Sequence, residues 1–266
     1  MTRLAGRAPK RIASRENALY KTLARLAGSS RARRESRAAI LDGPHLVAAF
    51  RASGGTAETL VASETGYARG EIRRLFDETP ARARVLLADR LFDPLAQVAT
   101  PTGILAVVTT PGPATVPAVL ETCLLLEGIQ DPGNLGSILR TAVAAGLQQV
   151  FLAPGCVFAW SPKVLRAGQG AHFGLSIHEG AALGELAGRF PGQIVATDPH
   201  AGASVFDLDL TGPVAWVLGS EGGGVSAELA ARATVRARIP MPGSAESLNV
   251  AAAAAICLFE QVRQRS

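Results

Sequence analysis

Apolar and polar positions alternate along this chain in two successive rounds of strand-sized and helix-sized blocks. From Arg15, the stretch RENALYKTLARLAG sets Ala18, Leu19, Leu23 and Leu26 on one face at helical spacing, with the charges opposite. The short apolar runs AAILDG, ETLVAS, ARVLLA and GILAVV then predict buried strands, with helical pieces between them at Pro44 to Ala52 and Gly70 to Phe76. This round predicts a small α/β domain over residues 15–109, after a flexible basic leader at 1–14. TTPGPATVPAV, residues 109–119, holds three prolines and one glycine and predicts a linker at 110–119.

The second round fills residues 120–266. CLLLEG, QQVFLA, GLSIHE, QIVATD, VAWVLG and VRARIP read as strands. Helices are predicted over 134–145, 162–167, 181–189 and 226–232, and at the C-terminal end. Strands this continuously apolar, separated by helices, predict an α/β fold with a mostly parallel sheet covered on both faces.

Composition narrows the class. With 48% hydrophobic and 18% charged residues the chain is globular rather than disordered. The apolar stretch from Val250 to Phe259 is too short to cross a bilayer, and the basic N-terminal stretch lacks the apolar core of a signal peptide. Cys123, Cys156 and Cys257 form no CxxC pair and sit in apolar company, so buried free thiols in a reducing, cytoplasmic setting are expected. His45, His172, His178 and His200 have no HExxH-type spacing, and no metal is expected.

Charge is unevenly placed. Residues 1–37 hold 11 Lys or Arg against Glu16 and Glu35, whereas the remainder has a small excess of acidic residues. A basic leader on a mildly acidic body suits an anionic polymer, with Arg31, Arg33, Arg34 and Arg37 as candidate RNA contacts. A solvated tail or an Arg- and Ser-rich transit peptide has the same composition. Arg outnumbers Lys 24 to 3, as in proteins from GC-rich bacterial genomes.

Three loops at strand ends concentrate the candidate chemistry. The first runs from Ile129 through Asp131, Asn134 and Gly136 to Arg140 and Thr141. The second is Gly219-Ser220-Glu221-Gly222-Gly223-Gly224-Val225. The third is IPMPGSAESLNV, residues 239–250. Ligands of open parallel sheets bind in such loops, and each ordered glycine costs up to about 1 kcal/mol of chain entropy. Gly222 to Gly224 let backbone pass close to a flat ligand while Glu221 offers an acceptor; a turn with an acidic N-cap is the plainer reading. Helix capping is likewise the plainer reading of Ser247 and Asn249. No GxGxxG, GxxxxGK[ST] or GxSxG is present, so the usual signatures of dinucleotide binding, nucleotide hydrolysis and serine hydrolysis are missing.

In order and spacing these loops resemble the three motifs of SpoU-type (TrmH-like) RNA ribose 2'-O-methyltransferases of the trefoil-knotted SPOUT superfamily. Asn134, Gly136, Arg140 and Thr141 match the first motif. Leu218, Gly219, Ser220, Glu221, Gly224 and Val225 match the second. Ile239, Pro240, Met241, Gly243, Ser247, Leu248, Asn249 and Val250 match the third. More loosely, Leu23, Arg37 and LDGPHLV (Leu41 to Val47) resemble the family's ribosomal-protein-like RNA substrate-binding domain. Gly168 in RAGQGA departs from the serine that relatives usually carry there.

The resemblance implies a deep C-terminal trefoil knot, S-adenosyl-L-methionine as cofactor, a homodimer through the knotted region, and methylation of a ribose 2'-hydroxyl in structured RNA, rRNA in preference to tRNA. A noncatalytic RNA-binding protein keeping the fold, and an unrelated α/β nucleotide or metabolite enzyme, are the rival classes. Arg140 is implied as base or as a phosphate-gripping stabiliser of alkoxide, oriented by Asn134 and Glu221, with Ser247 and Asn249 completing the site and one of those two side chains capping the last helix. Cofactor contacts fall on Leu218, Gly219, Glu221, Ile239, Met241, Ser247, Leu248 and Asn249, and Arg140 joins the RNA contacts. An arginine base is chemically awkward because a guanidinium stays protonated below pH ~12.

Overall fold

The computed structural model describes residues 8–112, 117–220 and 222–266 and divides into two units, residues 1–112 and 113–266. Unit 1 is built from β1 (Lys10–Ile12), α1 (Ala18–Gly28), α2 (Ser30–Glu35), β2 (Ala38–Asp42), α3 (Pro44–Ala52), β3 (Ala57–Ser63), α4 (Glu64–Ala68), α5 (Gly70–Glu78), β4 (Ala81–Leu87), α6 (Asp89–Phe92) and β5 (Ile104–Thr109). Its sheet order is β1-β4-β3-β5-β2, with β5 antiparallel to both neighbours and the other pairs parallel.

Two expectations are corrected here. Part of the stretch read as a flexible leader is a strand: Lys10 to Ile12 pair with Val85 to Leu87, and Ile12 is buried beside Tyr20, Leu23 and Leu26. A single apolar residue after Lys10 and Arg11 carries no periodicity, so nothing in the pattern announced it. Residues 1–7 of that leader lie outside the described residues. The inward face of α1 is also rotated, because Ala18 is exposed while Tyr20 is buried. The helix starts after Asn17, whose side chain accepts from the Leu19 amide, and this start turns the larger aromatic inward.

Unit 2 contains β6 (Cys123–Leu126), α7 (Pro132–Ala144), β7 (Gln149–Leu152), α8 (Pro162–Gly168), β8 (Ser176–Glu179), α9 (Leu183–Arg189), β9 (Gln193–Thr197), β10 (Ala203–Ser204), β11 (Val214–Leu218), α10 (Ala227–Arg232), β12 (Val235–Arg238) and α11 (Val250–Arg265). All seven strands are parallel, in the order β10-β12-β9-β11-β6-β7-β8. The order reverses between β6 and β11, because β7 and β8 extend the sheet one way while β9 to β12 build the other half. Such a switch point opens a crevice at the carboxyl ends of the strands.

Both faces of this sheet are covered. Cys123, Leu125, Phe151, Ile194 and Val217 pack with Leu183 and Leu186 of α9 and Leu229 of α10. The alternate residues, including Leu124, Val150 and Trp216, are fully buried on the other face, towards α7, α8 and α11. Gln261 of α11 accepts from the Trp216 indole at 2.9 Å and donates to the Leu210 carbonyl at 3.2 Å. One turn later, Gln264 accepts from the Leu210 amide at 2.9 Å and donates to the Leu208 carbonyl at 3.0 Å. Two side chains of α11 thus grip the segment that leads into β11.

Candidate active site

The first loop is shaped by its helix start. Asp131 accepts from the Asn134 amide at 2.8 Å and Pro132 opens α7, so Asn134 sits in the first turn of the helix, at the edge of the loops. Gly136, one half-turn on, is where α7 meets α8. A Cβ there would collide with Ala167 and come within 2.8 Å of the Gly168 backbone nitrogen, so only glycine lets the two backbones touch. Gly168, where the family's serine was expected, completes the contact. A Cβ there would lie 2.9 Å from the His172 ring, so His172 fills the room a serine would need.

The second loop closes on itself. Ser220 and Gly224 exchange backbone hydrogen bonds of 3.1 and 2.8 Å, and the Ser220 hydroxyl accepts from the Gly223 amide at 3.0 Å. Glu127, at the end of β6, fastens this loop to the first: its amide donates to the Leu218 carbonyl at 3.0 Å and its carboxylate accepts from the Ser226 amide at 2.8 Å. Gly128, at a left-handed φ of 67°, brings the first loop against Ser220.

The third loop ends at Asn249, which does two things. Its carbonyl oxygen accepts from the amides of Ala251 and Ala252 at 3.0 and 3.3 Å, capping α11. Its amide nitrogen donates to Asn134 at 2.9 Å, tying the third loop to the first across 115 residues of sequence.

These three loops enclose one crevice. A cavity of about 520 Å³ is walled by Leu218, Gly219, Ile239, Met241, Ser247 and Leu248, with Thr197 to His200 and Arg236 at its far end. Beside it lies a recess of about 270 Å³ lined by Gly128 to Asp131 and Asn134. Ser220, Gly222 and Val250 line both. A Cβ on Gly222 would meet nothing within 4 Å, so the backbone there stands in open space at the edge of both hollows. The apolar walls, glycine backbone and few charges fit an uncharged ring system and a thioether better than a phosphate chain. Arg236 is engaged by Asp198 at 3.6 Å.

The expected residues are distributed as follows. Leu218, Gly219, Ile239, Met241, Ser247 and Leu248 line the cavity and Asn134 the recess. Asn249 lines neither; its side chain caps α11 and donates to Asn134, while Ser247 lines the cavity. Arg140 also lines neither. It is exposed on α7, turned about 120° around the helix from Asn134. Glu221 lies outside the described residues. Sequence reading missed the Thr197-Asp198-Pro199-His200 wall and Glu127. The first follows the end of β9, so the strand-end rule that found the other loops points to it as well.

The basic cluster of unit 1 needs one correction. Arg33 is only 7% exposed, and it donates to the carbonyls of Leu26 and Ala27 at 2.5 and 3.0 Å, closing the last turn of α1. Burial pushes its pKa down. It is a structural arginine, not one offered to RNA. Arg31 is exposed and paired with Glu35 at 2.6 Å, while Arg34 and Arg37 are exposed.

Among the described residues no cluster of three His, Cys, Asp or Glu is placed to hold a metal ion, and no helix is long and apolar enough to cross a membrane. Cys123 and Cys257 are buried free thiols, each pushed up to about 12 by burial, whereas Cys156 is half-buried beneath the first loop.

Residues 121–259 match the SpoU rRNA Methylase family model. An uncharacterised tRNA/rRNA methyltransferase of Synechocystis is 32% identical over 96% of this chain and 94% of its own length. The Bacillus subtilis 23S rRNA (guanosine(2553)-2'-O)-methyltransferase RlmP is 32% identical over 94% of this chain and 98% of its own. Among solved structures, the SpoU methyltransferase AviRb of Streptomyces viridochromogenes in complex with AdoMet superposes with a TM-score of 0.84 at 28% identity, covering 94% of this chain and 98% of that one. The motif residues, the parallel sheet with its crevice and these likenesses agree, and the chain belongs to the SpoU rRNA methylase family.

Proposed function

We infer that this protein transfers a methyl group from S-adenosylmethionine to a ribose 2'-hydroxyl in rRNA. The single observation that carries the reading is the Asn134–Asn249 hydrogen bond, which joins two motif loops beside one glycine-floored cavity. Bound cofactor supplies an already activated sulfonium methyl, so the protein's task is alignment and help for the attacking oxygen. Leu218, Ile239, Met241 and Leu248 would hold the cofactor by apolar contact, and backbone groups of Gly219 and the following glycines would serve its polar atoms. Asn134, held by Asn249, orients the ribose in the adjoining recess, and Ser247 faces the same space from the third loop. Glu221 is assigned to the second loop's contacts on its motif position alone.

Arg140 is assigned as the phosphate-gripping charge. A guanidinium is a poor base and a good anion partner, so the assigned task is to hold the RNA backbone and its developing negative charge. Exposed Arg31, Arg34 and Arg37 suit RNA contacts from unit 1. The relatives are named for guanosine and for uridine sites in 23S rRNA, which fits a motif set that encodes 2'-hydroxyl chemistry rather than a base.

The knot and the dimer belong to this reading. A knotted C-terminal end is supported by the grip of Gln261 and Gln264 on the segment before β11. The homodimer is supported by the outer face of α11, where Ala252, Ile256 and Phe259 form an apolar stripe and Phe259 is 47% exposed. Calorimetric titration with S-adenosylmethionine, followed by transfer of labelled methyl to rRNA from a strain lacking the gene, tests the function. Binding with transfer supports it; absence of binding points to a noncatalytic RNA-binding protein.

A further inference from the structure

We propose that Lys163 and Arg166 on α8 form, with Arg140 on α7, a phosphate-binding track that holds the RNA backbone. The proposal rests on the RNA methyltransferase reading and deepens it by naming a substrate-holding surface beyond the three motif loops.

Most cations of unit 2 already have partners within the fold. Residues 120–266 carry twelve Asp or Glu against nine Lys or Arg, so cations are scarce here. Arg232, Arg236 and Arg263 are ion-paired with Glu228, Asp198 and Glu260. Arg238 and Arg265 donate to backbone carbonyls, of Ala201 and Gly212 among others. The exposed side chains of Arg140, Lys163, Arg166 and Arg189 remain, none with an ion pair or hydrogen bond among the described residues.

Their placement is not scattered. Arg189 lies on α9, which covers the opposite face of the sheet. The other three lie on α7 and α8, whose backbones touch at Gly136, with Val164, Ala167 and Gly168 as the facing residues. Lys163 and Arg166 each directly precede one of those positions along α8, and Arg140 is one helical turn beyond Gly136 on the same side of α7. Neither helix carries an acidic residue, so no carboxylate on them competes with an incoming phosphate. Exposed cations held on two touching helices and left without anionic partners are what a phosphodiester chain requires. Lys163 serves as a point charge and Arg166 as a planar fork.

The test uses the full-length protein and a fluorescein-labelled RNA stem-loop of mixed sequence, with anisotropy read between about 50 and 200 mM KCl. Each lost phosphate contact lowers the slope of log affinity against log salt by roughly 0.7–0.9. The Lys163→Ala/Arg166→Ala protein is therefore expected to lose about 1.4–1.8 of slope and to bind several-fold more weakly at 150 mM, about the physiological ionic strength. Arg166→Lys should recover most of its share. The charge-matched Arg189→Ala/Arg232→Ala protein, altered on the opposite face, should keep the wild-type slope. An unchanged slope in the α8 variant, or an equal loss in the control, overturns the track and would leave an acidic protein surface as the better partner for α8. Calorimetry with S-adenosylmethionine separates the two levels of inference. A wild-type chain that binds no cofactor defeats the methyltransferase reading, whereas normal cofactor binding with an unchanged salt slope defeats only the track.

Discussion

Asn249 joins a helix cap to a site contact, and the two roles can be separated. Asn249→Ser keeps a capping oxygen but cannot reach Asn134, so stability should stay near wild type while methyl transfer falls; Asn249→Ala should also lose about 1 kcal/mol in urea unfolding. Arg140→Ala should leave cofactor affinity intact and lower transfer by about 10²-fold or more, as loss of a charge that stabilises an oxyanion does. Near-normal turnover in that variant would remove Arg140 from the reaction. At this scale the motif residues were readable because their types are unusual for plain turns: three glycines in a row, and Ser and Asn before a run of alanines. Arg33 was not readable. It stands between Arg31 and Arg34 in an arginine-rich string, and only the fold shows that its guanidinium turns back into α1.

Helices α7 and α8 depend on their contact at Gly136. Gly136→Ala should cost about 1–3 kcal/mol in chemical denaturation, since the clash is with backbone and cannot be relieved by a rotamer change. The turn after α8 also stores a pH dependence. His172 is 2% exposed, donates to the Ala159 carbonyl at 2.8 Å, and is pushed down to about 4 by burial. A folded pKa below the unfolded value of about 6.5 means that the unfolded chain takes up the proton first. Stability should therefore fall as pH drops from about 6.5 to 4, by up to about 3 kcal/mol, and this slope should flatten in His172→Gln. Most strands and helices of unit 2 were legible because its central strands β6 and β11 are apolar throughout and α7, α8 and α10 open on a Pro or a Ser cap, whereas the two-residue β10 carries no such pattern. The three-residue β1 was not, because its pairing with β4 rests on one buried isoleucine. The wall after β9 escaped notice for a different reason, its Asp-Pro-His composition being that of an ordinary turn.

For the whole molecule, the proposed dimer predicts that light scattering at micromolar concentration gives twice the 27.5 kDa chain mass. Phe259→Lys on the outer face of α11 should return it towards the monomer, by placing a charge where apolar surface would be buried. A monomeric wild type would overturn the assignment. The parallel order of the sheet could be expected from its apolar strands, but not the reversal between β6 and β11, since strand order depends on crossovers that local pattern does not encode. That reversal sets Glu127 and Ser226, 99 residues apart in sequence, side by side.

The hold of Gln261 and Gln264 on residues 208–212 has a consequence during translation. A ribosome that has made every motif residue through Val250 has still not supplied the glutamines that anchor the approach to β11 and its glycine turn. A premature stop at codon 261 should therefore yield a polypeptide with intact signatures but without a competent crevice, and nascent chains should gain cofactor affinity only after that final helix has left the exit tunnel.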